Sequence, residues 1–149
     1  MQNPPPGQQS SPPTAQQSGL GLAPNVAAAL SYIWIVGLIL FFIEKTNNFI
    51  RFHAMQSVLY GVTWTVAMIV LAILNTILAI VFGVASAAAG DPGIIGMLVG
   101  LITMIIWLVI PLIYVGGLIL GAVKAYQNTK FKFPIIGNMA EKIAAGGTA

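Results

Sequence analysis

The sequence predicts an all-α integral membrane protein with three transmembrane helices, a disordered N-terminal tail and a short amphipathic helix near the C-terminus. Three observations carry that prediction. Of the 149 residues, 58% are hydrophobic and only 6% are charged. A soluble domain has about 25% charged residues, and a surface this poor in charge cannot stay solvated. Uncharged runs extend from Gln2 to Ile43, Phe52 to Gly90 and Pro92 to Val123, and parts of each exceed the ~20 apolar residues that cross a bilayer. Finally, all the basic residues follow the first or the third of these runs. The absence of cysteine excludes disulfides, thiolate chemistry and sulfur-bound metal. The few lysines form no extended stripe, so no nucleic acid partner is expected.

The tail, residues 1–22, is rich in Pro, Gln, Ser and Gly ("NPPPGQQSSPPTAQQSG"). It holds too little apolar surface to offset chain entropy and is expected to be disordered, with local polyproline II character. It lacks the basic start of a signal peptide, so the first span is expected to be retained. The membrane domain then covers residues 23–144. Pro24-Asn25 opens its first helix, since proline is tolerated in a first turn and asparagine can cap one. That span runs through "VAAALSYIWIVGLILFFI", residues 25–43, and stops at Glu44-Lys45 with Thr46-Asn47-Asn48 as the turn. At ~1.5 Å per residue it is roughly 27 Å long, just enough to cross.

The second run would extend roughly 58 Å as helix, too long for one span and too short for two. It reads as one helix over residues 55–86 with its first turns at the interface, either bent or as a surface helix joined to a shorter span. "AAAGDPG" closes it, because Gly90 can end a helix and Asp91-Pro92-Gly93 is turn chemistry. The third span, residues 94–123, contains Pro111, which removes a backbone hydrogen bond and should kink it.

Three spans place the first loop and the C-terminus on one side. Lys45, Arg51, Lys124, Lys130, Lys132 and Lys142 all fall there, which makes that side cytoplasmic and puts the tail outside. The expected location is the inner (cytoplasmic) membrane. Lys124, Lys130 and Lys132, interleaved with Phe131 and Phe133, are candidate membrane-surface anchors. Pro134 opens the last helix, residues 134–144, with Ile135, Ile136, Met139, Ala140 and Ile143 on one side. It is expected to lie on the cytoplasmic leaflet or against the protein's cytoplasmic face, the leaflet being favoured. Residues 145–149 read as a flexible end.

The stretch "NNFIRFHAMQS" holds the only histidine and the only arginine. At about 100° per residue, His53, Gln56, Ser57, Tyr60 and Asn75 share one helix stripe, and Arg51 points nearly opposite. Arg51 is expected to snorkel to lipid phosphates and the stripe to meet the third span. That span offers two GxxxG pairs, Gly96/Gly100 and Gly117/Gly121. Gly100, Thr103, Trp107, Pro111, Tyr114 and Gly121 share a face that permits close backbone approach.

Three phrases in this order, "FIRFHAMQS", "VKAYQNTKFKFP" and "PIIGNMAEKIA", resemble a family of small prokaryotic membrane proteins. That family is regarded as homologous to the twenty-kilodalton membrane subunit of the chloroplast inner-envelope import translocon (Tic). The resemblance covers residues 22–144. It implies a helical membrane fold and, from the plant relatives, a part in a protein-conducting channel that usually has four spans.

The supply of chemical groups argues against an enzyme. The acids are Glu44, Asp91 and Glu141, and no Ser-His-acid arrangement or phosphate loop can be drawn. A metal site needs three or four converging ligands, and His53 has only Glu44 nearby in sequence. No cofactor is expected. A transporter or channel usually carries ionisable residues deep in the membrane, where this chain offers only Asn75 and Thr76; an oligomer could still line a path with the Asn75 face. The favoured reading is an accessory, scaffold or assembly subunit, with the bilayer and a homo- or hetero-oligomeric membrane partner as its contacts.

Overall fold

A computed structural model describes residues 18–90 and 93–146. The disorder expected of residues 1–17, the turn at Asp91-Pro92 and the end of the chain after Gly146 lie outside the described residues. These form five helices: α1 (Pro24–Leu30), α2 (Trp34–Ile43), α3 (Asn48–Ala88), α4 (Ile94–Tyr126) and α5 (Ile136–Ala145).

The second run is a single helix of 41 residues. Asn47 caps it, its side-chain oxygen accepting from the N–H groups of Phe49 and Ile50 at 3.0 and 3.3 Å. Such a cap satisfies donors that the first turn leaves orphaned. Helix α4 returns antiparallel, as the pairing of Asn75 with Thr103 and of Tyr60 with Gly117 shows. It continues through Pro111 without ending. Only α3 and α4, among the described residues, are helices long and apolar enough to cross a membrane.

The first run departs from expectation. It is not one span but two short helices, of seven and ten residues, which reverse direction at Ser31-Tyr32-Ile33. At ~1.5 Å per residue these measure roughly 10 and 15 Å, far short of the ~30 Å hydrocarbon core. Tyr32 and Ile33 donate their N–H groups to carbonyls three residues back, at 3.2 and 3.0 Å, tightening the last turn of α1. Ile33 is then extended (φ −78°, ψ 111°), a conformation that suits a β-branched residue.

The reversal is held from α3. Ser57 donates its hydroxyl to the Ser31 carbonyl at 2.6 Å, and Gly37 lies so close to both that a Cβ there would collide with them. Trp34 lies against Gly61, while Leu40 packs with Ile50 and Ala54, so α2 descends antiparallel to α3. Helix α1 starts beside the end of α4, with Asn25 Nδ2 donating to the Tyr126 carbonyl at 3.1 Å. The segment before α1 returns to the same end, where the Gly19 N–H donates to Glu44 at 3.0 Å. Residue 19, the 44–47 turn and the C-terminal helix therefore share one end of the molecule, and the described residues do not carry the tail to the opposite face.

The consequence is a two-part shape. A compact head joins α1, α2, α5, the first turns of α3 and the last turns of α4, and holds three small buried clusters centred on Ile50, Tyr32 and Phe52. Beyond it, the rest of α3 and α4 forms a two-helix arm whose apolar side chains are mostly exposed. Among the described residues, every charged side chain is in the head.

Candidate functional site

The head contains the polar stretch that the sequence singles out, and its side chains are turned inward. Arg51 is 5% exposed. Its Nη1 donates to the Glu44 carbonyl at 3.0 Å and its Nε to the Ala144 carbonyl at 3.3 Å. These are terminal carbonyls of α2 and α5, so one cation answers the negative ends of two helices. The guanidinium carbon also sits 5.1 Å from the centre of the Phe41 ring. Snorkelling to phosphate, expected from sequence, is replaced by an internal clamp, because the chain folds two helix ends over the position.

On the opposite side of α3, Gln56 holds the segment between α4 and α5. Its Nε2 donates to the Phe131 carbonyl at 3.1 Å, and its Oε1 accepts from the Phe133 N–H at 3.3 Å. The same amide donates to Tyr32 Oη at 2.8 Å, and that hydroxyl lies 3.2 Å from His53 Nδ1. With its lone pair engaged by Gln56, the hydroxyl proton is assigned to His53 Nδ1. His53 is fully buried in a box of Phe49, Phe52 and Tyr32, with ring centres 4.7, 4.9 and 5.9 Å away. It does not reach a headgroup. Its Nε2 has no hydrogen-bond partner of good geometry.

Higher on α3, Tyr60 stacks between Tyr114 and Phe133 at 5.2 and 4.9 Å and donates to the Tyr114 carbonyl at 3.3 Å. Trp64 extends the stack onto Tyr114 at 4.7 Å. The second GxxxG pair makes room here: a Cβ on Gly117 would collide with the Tyr60 hydroxyl, and one on Gly121 with the Tyr32 ring. The first pair does not pack. A Cβ on Gly96 or Gly100 would meet nothing within 4 Å. Those glycines instead border a groove of about 290 Å³ beside Asn75 and Phe82. Among the described residues, the one side-chain hydrogen bond across the arm is Asn75 Nδ2 donating to Thr103 Oγ1 at 3.1 Å.

The C-terminal helix lies against the protein, the less favoured of its two expected placements, and turns a different face inward. Its small residues Gly137, Ala140 and Ala144 are buried, Ala140 and Ala144 packing with Phe52 of α3, and the bulky Ile135, Met139 and Ile143 point away from the protein. Lys130 and Lys132, expected to anchor on lipid, pair with Glu141 at 3.2 and 2.6 Å. Hydrogen bonds from the two lysines hold the Glu141 carboxyl below its ordinary value. Lys124 is half-buried in the last turn of α4.

Sequence reasoning missed Glu44 and Tyr32. Glu44 is 1% exposed and accepts from the Thr46 hydroxyl and N–H, the Asn47 N–H and the Gly19 N–H. Burial pushes its carboxyl up, but these hydrogen bonds outweigh that and hold it below its ordinary value. The signal available was an acid two and three residues before Thr46 and Asn47, the spacing of a side-chain turn. Among the described residues, no three His, Cys, Asp or Glu side chains gather as a metal site would require.

Residues 18–140 match the magnetosome magnetite crystal formation protein family. The chain belongs to that family. It is also similar to two UPF0132 membrane proteins of Methanocaldococcus jannaschii. One is 34% identical over 125 residues, covering 83% of this chain and 71% of the relative. The other is 32% identical over 130 residues, covering 85% and 93%. A UPF0132 membrane protein of Archaeoglobus fulgidus is 34% identical over 124 residues, covering 82% and 96%. No solved structure matches. The matches thus place the chain in a prokaryotic membrane-protein family; the relatives named here carry no translocon designation. Membership and the two long apolar helices together establish a membrane protein in contact with lipid.

Proposed function

We propose that this protein is a non-enzymatic accessory, scaffold or assembly subunit of a membrane complex. One observation carries the reading: apart from His53, the head's buried polar side chains are engaged in holding its own backbone. Arg51 clamps two helix ends, Gln56 fixes residues 131 and 133, Ser57 fixes the reversal after α1, and Glu44 closes a turn. That is the use of polar groups expected of a fold-determining core rather than of a reaction centre. The family's description names magnetite crystal formation. Both described acids, Glu44 and Glu141, already have partners. Among the described residues, a part in crystal formation would therefore run through contacts with the membrane or a partner protein rather than through mineral-binding carboxylates. The lysine-bearing head faces the cytoplasm by the positive-inside rule, in the inner membrane.

The second reading, an oligomeric channel or transporter component, rests on the Asn75–Thr103 pair beside the open groove. Affinity capture after chemical cross-linking in native membranes separates the two. Recovery of a stoichiometric membrane partner is the expected result; ion or solute flux through purified protein in liposomes, with no partner recovered, would contradict it.

A further inference from the structure

The distribution of helices along the membrane normal is unequal. The head places five helical segments side by side: α1, α2, α5 and the near ends of α3 and α4. The arm beyond it is only two helices wide. The outer face of α2 is apolar, with Ile35 60%, Ile39 48% and Phe42 67% exposed. Trp34 and Ile33, at the apex of the α1–α2 reversal, are also more than half exposed. Such a face is not stable against water, and α2 is roughly 15 Å long, about half the hydrocarbon core. It is continuous with the exposed apolar surface of α3 and α4, whose length and composition identify the bilayer as their surroundings. The bulky face of α5 lies on the same head, with Ile135 79%, Met139 49% and Ile143 42% exposed.

We propose that the protein is a wedge: its head enters only the leaflet on the lysine side, through the re-entrant α1–α2 hairpin and the outer face of α5, while the two-helix arm occupies the other leaflet. The partner is therefore a bilayer curved toward the head, in which the head-side leaflet is expanded relative to the opposite one. Apolar groups inserted into one leaflet bind best where its lipids are splayed by curvature. The backbone at the start of α5 fits this use. Ile135 has φ 65° and ψ −59°, and the Ile136 N–H donates to the Pro134 carbonyl at 2.7 Å, a γ-turn of the strained hand. For a β-branched residue that conformation is costly, and it projects the Ile135 side chain outward beside Met139 and Ile143.

The test uses the full chain, reconstituted into a mixture of small and large vesicles of uncharged lipid, with a fluorophore on Gly146→Cys in this cysteine-free protein. Copies whose label is quenched by an impermeant reagent carry the head in the outer leaflet. Their surface density, read vesicle by vesicle, is expected to rise several-fold from the largest vesicles to the smallest. Ile35→Ala with Ile39→Ala trims exposed side chains of α2 outside the buried clusters, and the pair is expected to lower that enrichment at unchanged thermal stability. Equal density across vesicle sizes for the parent chain overturns the wedge. So does efficient cross-linking of Ile39→Cys to a second copy without size dependence, which would mean that protein rather than lipid covers α2.

Discussion

The head, which carries every charged side chain among the described residues, and the arm, which carries none, are held together by different means. In the head, Arg51, Gln56, Ser57 and Glu44 each bind backbone atoms of another element, and close approach at Gly37, Gly117 and Gly121 brings those elements within reach. In the arm, one side-chain hydrogen bond among the described residues joins the helices, and a Cβ on Gly96 or Gly100 would meet nothing within 4 Å. The head carries its own fold-determining contacts. The arm depends on lipid or on another chain to complete its surface. Among the described residues charge separates the two, but their apolar content does not, because both are rich in Ile, Leu, Ala and Gly.

The glycine pairs give the sharpest contrast. Gly121→Leu must displace the Tyr32 ring and with it the Gln56–Tyr32–His53 chain, so a loss of at least about 1–3 kcal/mol is expected. Gly100→Leu projects into open space, and a change within about 0.5 kcal/mol is expected. Thermal unfolding in detergent, read by circular dichroism, measures both. If Gly100→Leu proved the more damaging, the arm would be packed more tightly than the head.

Arg51→Met keeps the bulk but leaves the Glu44 and Ala144 carbonyls without their donor. A loss of about 1.5–3 kcal/mol is expected, since hydrogen bonds from charged groups are worth that much. Limited proteolysis should then release α5 first. Gln56→Leu frees residues 131 and 133 and should cost about 1–3 kcal/mol, visible as faster amide exchange at Phe133. At the small end, Asn75→Ala removes the arm's polar link. About 0.6 kcal/mol is expected, the usual worth of such a bond in a membrane.

Among the described residues, the groups on which acid acts are in the head. The Glu44 carboxyl is held below its ordinary value in the folded protein, so the folded state favours its charged form. That stabilisation is fully present above the ordinary carboxylate value and is lost as pH falls through the lower folded value. Glu44→Gln should flatten the acid side of the unfolding profile, measured as midpoint temperature against pH. A profile unchanged by the substitution would remove Glu44 from the account of the head.

Sequence periodicity made the long helices legible, since an uninterrupted apolar run leaves a chain in lipid little alternative to helix. It also made visible the stripe from His53 to Asn75, because helical spacing sets which side chains share a face. The broken first run was not legible. Its reversal depends on Ser57 reaching Ser31 and on Gln56 and His53 engaging Tyr32, all partners more than twenty residues away. The local trace was a Ser-Tyr pair and Gly37 inside an otherwise apolar stretch. Arg51 was misplaced for a related reason. A lone arginine beside a span suits phosphate in general, and only the folded chain shows two helix ends competing for it. The GxxxG spacing occurs twice in α4, but spacing cannot reveal which pair faces a tyrosine and which faces a groove.

The central claim is that the chain before α1 and the chain after α4 lie at the same end, with α1–α2 entering and leaving one leaflet. Because the protein has no cysteine, single cysteines at Leu20, Thr46, Ala89 and Gly146 can be labelled in sealed membrane vesicles with an impermeant reagent. The expected result is that Leu20, Thr46 and Gly146 react from one side and Ala89 from the other. Reaction of Leu20 from the side opposite Gly146 would restore a full first span and contradict the account.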